Sequence, residues 1–136
     1  MARSRSLFTT IPLLAFGLLM LTSCGPQDTT VQTCHRLTAL QEEIAVFETF
    51  PTGDPTQRVE AVRGFAHELD RIRTAASNAQ LESTAETLAE MYRSIAEVAA
   101  THPHLGAVEL ITEVEPHLEV DRINTANANY LQICQI

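Results

Sequence analysis

The chain has 136 residues, a length that suits one domain, with 17 acidic residues against nine basic ones and a formal net charge of −8. Every basic residue is arginine, and two of the nine fall within the first five positions, so the remainder is more acidic still. That balance argues against nucleic acid as a partner and against a flat electrostatic contact with anionic lipid head groups.

The first segment reads as three zones. Met1 to Ser6 carries Arg3 and Arg5 and no acid. Ile11 to Leu21, IPLLAFGLLML, is an apolar run of 11 residues. It fits the core of a signal peptide and falls short of the roughly 20 residues a membrane span needs. Leu21-Thr22-Ser23-Cys24 closes it, and Pro26 to Thr30 (PQDTT) follows as a polar tether.

The LTSC stretch resembles the lipobox of bacterial lipoprotein precursors: a leucine, two small residues, then the modified cysteine. The resemblance covers about the first 25 residues. It implies that the Cys24 sulfur carries a diacylglyceryl group with palmitate-type acyl chains, and that a peptidase cuts between Ser23 and Cys24. It also implies residues 1–23 as signal peptide and 24–30 as lipidated tether, leaving 31–136 as the folded domain. An ordinary secretory signal is the alternative, but the A-x-A pattern it calls for is missing. An uncleaved anchor would be interrupted by Pro12 and Gly17. Arginines held on the cytoplasmic side send Cys24 to the outer, extracytoplasmic face of the cell membrane, where two acyl chains give stable anchoring and one is marginal.

Residues 24–136 hold seven arginines and all 17 acids, a net charge of −10. With Cys24 alkylated, Cys34 and Cys134 are the remaining thiols, and an even pair in an exported setting favours a disulfide. The pair lacks the CxxC spacing of a redox or metal clip. Its bridge would close a loop of 100 residues and clasp the two ends of the domain.

From Val31 the apolar positions Val31, Cys34, Leu37, Leu40, Ile44, Phe47 and Phe50 recur at three and four, which predicts an amphipathic helix. Pro51-Thr52-Gly53 breaks it. Asp54 then reads as an N-cap, Pro55 as the first helical residue and Gln57 as a capping-box partner. Val59, Val62, Phe65, Leu69 and Ile72 form the stripe of the second helix. Ala75 to Asn78 suggests a turn with Ser77 or Asn78 capping a third helix. The pattern there is nearly continuous, so one long bent helix is the alternative. Leu81, Ala85, Leu88, Met91 or Tyr92, Ile95 and Val98 are the third face, which Thr101-His102-Pro103-His104 ends. Leu105 to Glu115 reads as a short fifth helix before Pro116. A last helix from His117 to Gln135 would bury Val120, Ile123, Ala126 or Asn127, Tyr130, Leu131 and Cys134.

No window alternates as a strand does. The expected fold is all-α, an antiparallel four-helix bundle with the short extra helix, clasped by one disulfide. Up-down-up-down order puts the start of the first helix beside the end of the last, and so brings Cys34 to Cys134.

Candidate chemistry is sparse. His35, His67, His102, His104 and His117 lack the helical i, i+4 spacing or cysteine clip of a metal site, so no metal and no cofactor is expected. Glu82, Glu86, Glu90 and Glu97 read as a solvated face with Arg93 as local partner, not as catalytic carboxylates. Asn124, Asn127 and Asn129 are poor helix formers and mark either a polar patch or an exposed surface. No Ser-His-Asp spacing, Gly-rich phosphate loop or nucleophile elbow is present, and an enzyme is not expected. The reading is a lipid-anchored envelope helical module that binds another envelope protein or serves a structural role. The alternative is a lipoprotein that binds or carries a lipid or other small apolar ligand. A continuous apolar pocket of several hundred Å³ would favour the second.

Overall fold

The Thr29-Thr30-Val31-Gln32 stretch opens the first helix with a reciprocal capping box. The computed structural model describes residues 26–49 and 53–135. In it the Gln32 N–H donates to Thr29 Oγ1 at 3.2 Å, while the Thr29 N–H donates to Gln32 Oε1 at 2.8 Å. Helix α1 then runs Thr30–Thr49. Asp54 caps α2, Pro55–Ala75, by accepting from the Thr56 N–H at 2.9 Å, with Pro55 in the first turn. Among the described residues no bond from Gln57 returns to that cap. Asn78, rather than Ser77, caps α3, Ala79–Thr101, accepting from the N–H groups of Gln80 and Leu81 at 3.0 Å each. The second and third helices are therefore separate.

His102 leaves helical geometry ahead of Pro103, as a residue before proline tends to. The short α4 spans Ala107–Val114, followed by a 3-10 turn at Glu115–His117 around Pro116. The last helix, α5, is Val120–Ile133, three residues later than the expected start at His117 because that turn intervenes. No strand occurs among the described residues.

Cross-helix bonds give the order of the bundle. Arg36 of α1 meets Glu68 of α2 at 3.0 Å, and Asp28 bridges to Ala76, so α1 and α2 run antiparallel. Thr84 of α3 approaches the Ala126 carbonyl while Arg122 reaches back to Glu90, so α3 and α5 are antiparallel too. The fold is the expected antiparallel four-helix bundle with α4 as the extra element. One pole gathers the starts of α1 and α3 with the ends of α2 and α5. The far pole gathers the ends of α1 and α3, the start of α2, and α4.

Leu37, Leu40 and Ile44 of α1, Phe65, Leu69 and Ile72 of α2, and Leu81, Ala85 and Ala89 of α3 form the core with the two cysteines. The α2 stripe is buried at every expected position, and Ala66 joins it. Helix α3 touches each of the other four helices. Its buried arc is accordingly wider than one stripe and takes in Thr84, Thr87, Ala89 and Ala96. Edge helices bury less. Val31, Val120 and Leu131, expected inside, are 62%, 47% and 59% exposed: on these edge helices the buried arc is narrow, and Thr33 and Cys34 on α1 and Ala126 on α5 occupy it instead. Ala126, not Asn127, takes the buried position on α5.

Candidate functional site

The first pole is a clasp. Cys34 and Cys134 form the expected disulfide, with Cα atoms 5.4 Å apart, inside the usual range of about 4.4–6.8 Å. Both residues are buried. One helical turn further on, the Thr38 and Tyr130 hydroxyls share a hydrogen bond of 2.7 Å, so the α1–α5 seam is fastened at two levels.

Asp28 adds a third fastening. Its N–H donates to the Ala75 carbonyl at 2.7 Å, and its own carbonyl accepts from the Ser77 N–H at 3.3 Å and the Ser77 hydroxyl at 2.7 Å. Arg36 ties it sideways, donating to Asp28 Oδ2 at 2.7 Å and to Glu68 Oε1 at 3.0 Å. Burial pulls the Arg36 guanidinium down, but these two carboxylates outweigh it and raise it further, so it stays cationic. Ser77 is committed to Asp28, which explains why Asn78 does the capping. From Asp28 onward the tether stretch is thus bonded into the bundle. Ser23 and Cys24, the expected cleavage and lipidation residues, lie outside the described residues.

The far pole is open. The ends of α1 and α3, the start of α2, and α4 leave a cavity of about 350 Å³ between them. Phe47, Phe65 and Tyr92 make one wall, held edge-to-face with ring centroids 5.4 and 5.9 Å apart. Leu105, Leu110 and Ile111 from the α3–α4 turn and α4 make the other. The lining is mainly apolar, with Glu48, Arg58, Tyr92 and His102 as its charged or titratable members. Burial, helped by the nearby charge of Glu48, pushes the Tyr92 hydroxyl up to about 12. Tyr92 is therefore a neutral donor at ordinary pH. A trough between α1 and α2 is larger, about 530 Å³, but it is a surface feature with Glu43 and Glu68 on its rim and the exposed Val46 beside it.

The remaining candidates do not assemble into a site. The His102 and His104 rings lie 6.4 Å apart, and no group of three or more His, Cys, Asp or Glu is placed to hold a metal ion among the described residues. Glu82, Glu86, Glu90 and Glu97 are all exposed. Arg93 pairs with Asp70 of α2 at 2.7 Å rather than with these acids, because the antiparallel α2–α3 contact brings Asp70 to it. Asn124 and Asn127 are exposed and Asn129 is half-buried. No described helix is long and apolar enough to cross a membrane.

No protein-family model, curated protein or solved structure matches the chain.

Proposed function

We propose that this chain is a lipid-anchored protein of the cell envelope whose helical bundle binds a small apolar ligand at the pole remote from the membrane. The observation that carries the reading is the far-pole cavity. At about 350 Å³ it falls within the span of about 300–1,000 Å³ usual for ligand pockets, and it is walled by aromatic and aliphatic side chains with a few polar groups.

The clasp supports the anchoring half. With the lipid on Cys24, Gly25 to Gln27 would be the slack before Asp28 is fixed to the α2–α3 turn. Four residue steps span at most about 14 Å. The clasped pole would then sit against the bilayer surface, and α1, whose 20 residues cover about 30 Å, would hold the cavity well above it. A site so placed draws its ligand from the space outside the membrane or from a facing surface, not from the leaflet beneath.

A second reading is a docking surface for another envelope protein. Val108 and Ile111, one turn apart on α4, are 75% and 67% exposed, and Ile111 also lines the cavity. Filling the cavity separates the two. Ala99 of α3 also lines the cavity, and native mass spectrometry of the membrane-purified protein should show a retained small molecule that Ala99→Phe expels while thermal unfolding stays cooperative. A wild-type protein with no retained molecule and no affinity for apolar probes would leave α4 docking as the function.

A further inference from the structure

Six of the seven arginines after Cys24 have a carboxylate within ion-pair distance: Arg36, Arg63, Arg71, Arg73, Arg93 and Arg122. The seventh, Arg58, has none among the described residues, although the chain carries 17 acids. Arg58 is also the arginine that lines the far-pole cavity. A guanidinium with no partner among the described residues, in the lining of an apolar chamber, is matched by one ligand chemistry: an anion joined to an apolar tail. Its planar fork suits a carboxylate in bidentate geometry.

We propose that the cavity binds a single-chain carboxylate of medium length, its tail against Phe47, Phe65 and Leu110 and its head on Arg58. The inference rests on the reading of the cavity as a ligand site and specifies its occupant. Size fixes the tail. A dry cavity of about 150 Å³ holds one benzene, so 350 Å³ holds on the order of a dozen carbons, too few for a two-chain lipid. The other polar members of the lining are consistent with an anionic head. Tyr92 stays protonated and can donate. Nδ1 of His102 is engaged by the Thr101 hydroxyl at 2.9 Å and the Val98 carbonyl at 3.2 Å; donation to that carbonyl leaves Nε2 of the neutral ring an acceptor, which does not bind a carboxylate. Glu48 opposes an anion; it makes no ion pair with Arg58 and stands on the neighbouring helix end.

The test compares three ligands that share a ten-carbon tail: decanoate, 1-decanol and decylammonium. Each is titrated against the mature chain in lipid nanodiscs, with empty nanodiscs as the blank. Decanoate should bind at least tenfold tighter than the other two, the scale of a charge-assisted hydrogen bond. Arg58→Gln should bring decanoate down to the level of decanol, leave decanol unchanged and keep the helical melting transition. Glu48→Gln should tighten decanoate. If decanoate and decanol bind alike, the carboxylate assignment falls and the ligand site stands. Tightest binding by decylammonium would also overturn it and make Glu48 the head-group partner. If none of the three binds above the blank, the ligand-site reading itself falls.

Discussion

Removing the Cys34–Cys134 bridge should cost this bundle roughly 2–5 kcal/mol. The loop it closes spans 100 residues, for which the chain-entropy relation gives about 4.7 kcal/mol as an upper figure. A small domain is stable by about 5–15 kcal/mol in total, so the loss would be felt at once. The structure says where. Helix α5 packs on α3, and its seam with α1 is fastened by the disulfide and by the Thr38–Tyr130 hydrogen bond one turn away. Without the bridge that seam keeps one hydroxyl pair and the packing of Tyr130 and Ile133 against the core. Urea unfolding of wild type, of the reduced wild type and of Cys34→Ala with Cys134→Ala separates the terms. The reduced protein isolates the bond; the double variant adds the loss of two buried sulfurs. The urea dependence should steepen as the midpoint falls, because the unfolded chain is released from its loop. A loss below about 1 kcal/mol with an unchanged slope would refute the loop-entropy reasoning.

Other expectations follow from single groups. Cys24→Ser should leave an unlipidated precursor or a soluble, mislocalised product, since a hydroxyl does not form the thioether; cell fractionation with mass analysis of the N-terminal peptide reads it. The Thr33 hydroxyl is fully buried and has no hydrogen-bond partner among the described residues. Thr33→Val should therefore stabilise the fold, by about 1 kcal/mol, visible as a raised melting temperature. Tyr92 keeps its proton to about pH 12 when folded and releases it near 10 when unfolded. The unfolded state thus holds fewer protons in that window, so stability is complete below pH 10 and declines as pH rises through about 12. Urea midpoints between pH 9 and 12 should show the decline, and Tyr92→Phe should remove that component.

Local signals carried the helices, and helix parity carried the disulfide. Asp54 and Pro55 announce α2, and the spacing of Val59, Val62, Phe65, Leu69 and Ile72 states which face it buries. Four full-length helices bring Cys34 and Cys134 to one pole without any further information. The burial of Thr84, Thr87, Ala89 and Ala96 was not readable in this way, because it depends on α3 lying between α2 and α5, a fact about neighbours rather than spacing. Thr29 and Gln32 do bear a capping-box signature, but Pro26 and Asp28 just before them read as tether. What fixes Asp28 is the α2–α3 turn, 47 to 49 residues away along the chain. The cavity and the solitary Arg58 are still less legible. An apolar stripe looks the same whether its partner helix meets it or stops short, and the sequence does not show which acid each arginine meets.

Methyl-resolved NMR of the mature chain in nanodiscs, titrated with decanoate, reads occupancy of the far-pole cavity residue by residue. A ligand in that cavity should shift Ile44, Val62, Ile95 and Leu110, which line it, and leave Ile72 and Leu81 in the sealed core toward the clasp unmoved. Shifts confined to the exposed Val31, Val120 and Leu131 would mean adsorption to the surface and would contradict it.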